Sequence, residues 1–331
     1  MEIEIRSEEN YYFRLSRYGN AILQLYESTP DFIVPKERAR EMAALISREL
    51  KDFSISRVKL KMPWGVPVPG DEEHVMYVWF DALINYISAI GWPEDKKTFR
   101  KWWPVTQFAG KDQVRQQALM WQAMLLSAGL PFSKQIFVHG FITSGGQKMS
   151  KSLGNVIDPL ALAERYGAEA LRYVLLRHVS PFEDSDLTEA VIHKHYTAHL
   201  TNGLGNLVAR VMKLAEEHLP SPVIPHQQPA WPQEYSGAIS NFEFNRAMDF
   251  VWNKIQELDR KMMEEKPFEL VHTDIDRAKF ILADTFVQGL YSIACLLETA
   301  MPATAEKIKA AVRANKKPNN LFPRLPAQAG L

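Results

Sequence analysis

Cysteine is nearly absent from this chain of 331 residues, which holds only Cys295. A single thiol excludes an internal disulfide and any zinc knuckle built from cysteines. Net charge is absent as well, because 39 Lys and Arg are matched by 39 Asp and Glu. No bulk positive field draws in nucleic acid, so any RNA contact must use local patches, shape or stacking. The start of the chain carries Glu2, Glu4 and Arg6 and lacks the apolar run of a signal peptide. The most apolar stretch, Phe286 to Leu297, is shorter than the roughly 20 residues of a membrane span, and a core helix is expected there. These absences point to a cytoplasmic protein that meets no membrane. Internal repeats are lacking too. What remains is ordinary globular material, 46% apolar and 24% charged, with length enough for two domains.

The two halves carry different periodicities. Up to about residue 155, helical and strand signals alternate. Leu15 to Tyr26 and Lys36 to Lys51 suggest helices, the second opened by Pro35. A β-rich run, His74 to Phe80, follows the turn Pro69-Gly70-Asp71. Val105 to Gly110 and Gln135 to Gly140 are two further strands, flanking a helix from about Gln113 to Ala128. Strands separated by helices imply a partial, parallel, doubly wound α/β sheet. Beyond residue 160 the strand signal fades. Short helices are expected at Leu160 to Tyr166 and Ala168 to Arg177. Val251, Ile255, Leu258 and Met262 then recur at helical spacing, as do Phe286, Leu290, Ile293 and Leu297. A proline-rich connection, Pro220 to Pro232, joins helices. The architecture expected is a partial α/β half followed by an all-α bundle.

The chemistry concentrates in Phe141-Ile142-Thr143-Ser144-Gly145-Gly146-Gln147-Lys148-Met149-Ser150-Lys151-Ser152, which follows a strand. Paired glycines allow a tight turn, and Lys148 and Lys151 with Ser150 between them can surround a polyphosphate. By composition alone a Lys/Ser loop is more often a solvated surface. The whole run, however, resembles without a substitution the KMSKS signature of class I aminoacyl-tRNA synthetases. The continuation Val156-Ile157-Asp158-Pro159 and Tyr166 to Tyr173 resembles the stretch linking catalytic and anticodon domains in that family. Tyr77-Val78-Trp79-Phe80-Asp81-Ala82-Leu83-Ile84-Asn85-Tyr86 resembles the methionyl-tRNA synthetases in particular.

The resemblance implies a Rossmann-like catalytic half over 1–155, a linking region over 156–188 and a helical anticodon-binding domain over 189–331. It implies ATP with Mg2+ as cofactor, methionine and its tRNA as partners, and catalytic roles for Lys148 and Lys151. Gly110, Asp112, His139, Ile142 and Ser150 match positions around ATP, with Arg57 a further candidate. Trp79, Ala82, Tyr86, Gln117 and Trp121 match the methionine pocket, where aromatic rings suit a thioether. Relatives often carry isoleucine and histidine where Gln113 and Gln117 stand, so the pocket is more polar here. Asn206 and Arg210, at i and i+4, match residues that read the anticodon, and Phe268 after Pro267 matches a stacking tryptophan. His193, His195 and His199 suggest a metal only weakly and are expected to be solvated or capping side chains, so no metal site is expected. Neither a His-x-Gly-His motif nor a Cys-x-x-Cys pair occurs among the 331 residues. The family uses the first for ATP and the second for zinc. The chain is therefore expected to need that segment, from a separate chain or otherwise, for ligase activity. A non-enzymatic tRNA-binding protein derived from a synthetase is the alternative.

Overall fold

The computed structural model describes residues 8–150, 155–226 and 231–326. Packing divides the chain into two compact units, 1–140 and 141–331.

The first unit is built around the run Gln135–His139. Ile136, Phe137 and Val138 are all buried, as befits a central strand covered on both faces. It is flanked in parallel by Thr106–Gly110 and by a two-residue strand, Ile33–Val34. The register pairs Thr106 with Gln135 and Gly110 with His139. One face packs helices Gly19–Ser28 and Lys36–Glu49 through Ile22, Met42 and Ile46. The helix that winds through Arg115–Met120 into Trp121–Ser127 serves two clusters. Ala118, Leu119 and Ala123 join that first cluster, while Trp121, Met124 and Leu125 join a second with Leu83, Ile87, Phe99 and Trp103. A helix apolar on both sides belongs in an interior. The parallel sheet followed by a helical half agrees with the fold class expected.

One strand expectation is corrected. Asp71–Met76 is a strand, but Val78–Ala82 is helical. Phe80 and Asp81 donate backbone hydrogen bonds to the Tyr77 carbonyl, and the bend lets Trp79 and Phe80 pack on the Leu83–Trp121 cluster. Burial of the aromatic rings overrides their strand propensity.

The second unit opens with a hairpin, Ile142–Ser144 against Gln147–Lys148, extended in parallel by Ser185–Asp186. The 141–150 segment, expected to close the first domain, thus hydrogen-bonds within this unit. Helices follow, with side-chain caps where the sequence offers them. Asp158 accepts from Leu160 N ahead of Pro159, Thr188 from Val191 N, and Asp274 from Arg277 N. The helical residues share one core that includes Tyr173, Leu200, Val211, Trp252, Phe286 and Ile308. The apolar stretch at 286–297 is longer than its sequence run suggested. It continues a helix from Ile275 to Leu297, 23 residues holding an 18-residue window of mean hydropathy 1.7, long enough to cross a membrane by length and composition. Phe286, Leu290, Ile293 and Leu297 are nevertheless buried in the shared core, so the core-helix expectation holds through packing and not through length.

Candidate active site and RNA-reading face

The hairpin turn is Gly145-Gly146, with φ of 63° and 73°. A two-residue hairpin turn of type I′ needs positive φ at both positions, which glycine adopts most freely. Asp186 holds this turn: its Oδ1 accepts from Gly146 N at 2.7 Å and from Thr143 Oγ1 at 2.9 Å. Asp184 accepts from Phe141 N at 2.9 Å. Beyond the turn, the Lys148 Nζ sits 4.3 Å from the centroid of the Phe141 ring. Asn155 then bridges the loop, accepting from Ser150 N and donating to the Lys148 carbonyl. The loop thus has a fixed base and an exposed lysine. Ile142 lies on the first strand of the same hairpin. Lys151 lies outside the described residues.

In the first unit the strand register brings Gly110 beside His139. A Cβ at Gly110 would meet Asp112 Oδ1 at 2.8 Å and His139 Cε1 at 3.7 Å, so a side chain there would have to displace the Asp112 carboxylate. His139 is exposed and its Nδ1 lies 2.8 Å from the Gly140 carbonyl oxygen. Gly110, Asp112 and His139 therefore stand together at one corner of the sheet.

The pocket residues gather around Trp121, which is 1% exposed and touches Trp103 edge-on. Its ring centroid is 6.1 Å from that of Tyr86. Trp79 and Ala82 are half-buried on the short helix before Tyr86. Gln117 is buried, and its Nε2 donates to the Tyr86 hydroxyl at 2.8 Å. An adjacent apolar cavity of about 210 Å³ is lined by Phe13, Phe80, Ile84, Ile87, Trp92 and Trp121. Trp79, Ala82, Tyr86 and Gln117 do not line it.

Asn206 is exposed at the start of the helix Asn206–His218. One turn on, Arg210 donates to Asp259 Oδ1 at 3.0 Å and reaches the Met263 sulfur at 3.5 Å. Both partners are on Phe244–Glu265, which ends at Lys266 in the left-handed region before Pro267 and Phe268. Phe268 is 37% exposed, enough ring to stack on a base.

The histidine expectation is corrected. His195 and His199 are half-buried with His178, not solvated. The His178 and His195 rings stack at 3.5 Å and 11°. Tyr173 bonds His199 Nδ1 at 2.7 Å and accepts from Arg177 at 2.8 Å. Burial first, then the neighbouring imidazoles and the Arg177 guanidinium, holds His178 down at about 3 and His199 at about 4. His193 packs against Tyr166 instead. The three clustered rings offer nitrogens within 4.8 Å of one another. Stacked parallel, the in-plane lone pairs of His178 and His195 run side by side and do not converge on one ion.

The profile of the family described as tRNA synthetases class I (M) matches residues 1–212. The chain belongs to the class I tRNA synthetase family. It is 40% identical over 318 residues to the methionine–tRNA ligase of Mesorhizobium japonicum, covering 92% of this chain and 61% of that protein. With the methionine–tRNA ligase of Thermotoga maritima it shares 37% over 326 residues, covering 94% and 51%. Among solved structures, Mycobacterium tuberculosis methionyl-tRNA synthetase bound by methionyl-adenylate is similar with a TM-score of 0.83 at 32% identity, over 96% of this chain and 68% of that one. The chain thus spans between about half and three-fifths of these curated relatives.

In this synthetase chain several site-supporting residues escaped the sequence. Asp184 and Asp186 brace the 141–150 hairpin, and Asp259 holds Arg210. Gln107, Gln122 and Ser133 stand behind Gln117. Asp184, Asp186 and Asp259 act across 40 or more residues, a separation that no local motif spans.

Proposed function

We propose that the chain is the part of a methionine–tRNA ligase that carries the phosphate loop, the floor of the amino-acid pocket and the anticodon-reading helices. The observation that carries this is similarity to methionine–tRNA ligases over 92% of the chain, joined to an unbroken Lys148-Met149-Ser150-Lys151-Ser152 run. In the reaction the methionine carboxylate attacks the α-phosphorus of ATP, the α–β phosphoanhydride bond breaks, and pyrophosphate leaves. Negative charge then builds on the transferred group and on pyrophosphate. Lys148 and Lys151, with Ser150, neutralise it at that moment, which favours the transition state over the ground state. ATP enters as its Mg2+ complex. Gly110, Asp112, His139 and Ile142 accept its adenosine portion. Trp79, Ala82, Tyr86, Gln117 and Trp121 contact the methionine side chain. Asn206, Arg210 and Phe268 read the tRNA anticodon, with Asp259 fixing the guanidinium.

The working division is 1–155 catalytic, 156–188 linking and 189–331 anticodon-binding, in a cytoplasmic enzyme with no zinc site on this chain. Activity needs a His-x-Gly-His segment, absent from these 331 residues, on the same or a separate polypeptide. The test is methionine-dependent ATP–pyrophosphate exchange. The 331-residue chain alone should show none at a useful rate, and exchange should appear once the His-x-Gly-His segment is supplied. Lys148→Ala should then lower the rate about a hundredfold. Exchange by the chain alone near the complete rate, or exchange indifferent to methionine, would overturn the reading. Equal affinity for tRNAs with methionine and other anticodons would remove the role given to Asn206 and Arg210.

A further inference from the structure

Behind Gln117 the first unit buries a chain of polar side chains whose direction is set at one end. Gln107, Gln117, Gln122 and Ser133 are each at most 5% exposed. The backbone N–H of Ser133, which can only donate, bonds Gln122 Oε1 at 3.1 Å. Gln122 Nε2 donates to the Gln117 carbonyl at 2.8 Å, and a carbonyl can only accept. These two contacts with the backbone forbid a flip of the Gln122 amide. Its Nε2 also donates to Ser133 Oγ at 3.1 Å, so the Ser133 proton must point elsewhere. It goes to Gln107 Oε1, at 2.5 Å. With its oxygen so occupied, Gln107 presents Nε2 to Gln117 Oε1 at 3.2 Å. Gln117 in turn presents Nε2 to the Tyr86 oxygen at 2.8 Å. Reversing any amide would place donor against donor or acceptor against acceptor in a buried site, which costs about 1–3 kcal/mol per unsatisfied group.

From this polarity we infer that Ser133, Gln122 and Gln107 are positioning residues that fix the Tyr86 hydroxyl as an outward hydrogen-bond donor, selecting an amino-acid side chain that accepts a hydrogen bond. Tyr86 receives a proton from Gln117, so its own proton is free to leave the cluster. No other described residue hydrogen-bonds that hydroxyl. A thioether sulfur is a weak acceptor and never a donor, which matches such a group. A hydrocarbon side chain of the same shape leaves the donor unpaired, and sites built around a polar contact reject such analogues most strongly. Because the relay ends in amides where an imidazole could stand, its donor sense does not change with pH.

The inference rests on the proposed role of Tyr86 at the methionine side chain, and the test separates the two. In the 331-residue chain, the Gln117 side-chain amide protons should exchange slowly with solvent by NMR. Ser133→Ala should speed that exchange about tenfold, and Ser133→Thr, which keeps the hydroxyl, should restore it. An unchanged rate in Ser133→Ala overturns the relay whatever the protein does. In the exchange assay with the His-x-Gly-His segment supplied, the probes are methionine and norleucine, in which CH2 replaces sulfur. Ser133→Ala should lower the preference for methionine about tenfold, through KM and not kcat. Tyr86→Phe should lower it as much, and Ser133→Ala should then add nothing. A preference unchanged in Ser133→Ala, while exchange proceeds, overturns the inference and leaves the ligase reading intact. Absence of methionine-dependent exchange in the unaltered protein defeats the ligase reading, and the NMR arm still decides the relay.

Discussion

Three glutamines and a serine share one buried cluster in the first unit, whereas three imidazoles, a phenol and a guanidinium share one in the second. Each joins residues far apart in sequence, and each sits among aromatic side chains. The glutamine cluster gains its order from direction: every amide has one end that donates and one that accepts. The histidine cluster gains its place by giving up charge, since burial keeps His178 and His199 neutral. One kind of buried polarity is indifferent to pH, and the other is conditional on it. The first unit has an opposite element as well. His74 is raised by the Glu9 carbonyl and then by Asp71, so its contribution is fully present below about 6.5 and fades as pH rises through its raised value.

The strongest way to break the glutamine side of this comparison is Gln122→Leu. That change strands Ser133 N–H and the Gln117 carbonyl, and the first unit should lose about 3 kcal/mol in denaturant unfolding. Next comes Tyr173→Phe, which takes the hydroxyl from His199 and Arg177 and should cost the second unit about 1–2 kcal/mol. The pH response sharpens the contrast. Between pH 6.5 and about 5 the unfolded chain binds protons that His178 and His199 refuse when folded, so the second unit loses stability as pH falls. Hydrogen exchange followed by mass spectrometry, corrected for intrinsic rates, should show protection falling about tenfold or more in the second unit but not around Gln117. Equal acid sensitivity in both units would contradict this. The smallest expected effect is that of His178→Gln. It should change little at neutral pH yet flatten the acid slope by about half.

Much of the frame was legible from sequence. The strands at 106–110 and 135–139 and the helices from Lys36 and from Pro159 announce themselves by periodicity, glycine and proline. Two-residue Ile33–Val34 is too short to show a period and exists because Gln135–His139 offers it a partner. Val78–Ala82 carries strand formers yet coils, because Trp79 and Phe80 gain more from the aromatic cluster than from a ladder. The Lys148–Ser152 run was legible as a motif. The brace of the hairpin leading into it was not, since Asp186 lies 40 residues from Gly146 and reaches it only by strand pairing. The histidines illustrate the same limit. His195 and His199 look solvated until His178, from another helix, stacks against them and Trp252 walls in the group.

The helix Phe244–Glu265 has 22 residues, a rod of about 33 Å. Near its beginning Asp249 and Trp252 engage Arg177 and Tyr173. Further along, Asp259 holds Arg210, and just past its end stands Phe268. Beyond Trp252 the helix runs about 20 Å further, with Ile255, Leu258 and Met262 buried in the shared core. A single rod thus joins the aromatic wall of the imidazole cluster to the point where the ring of Phe268 is displayed.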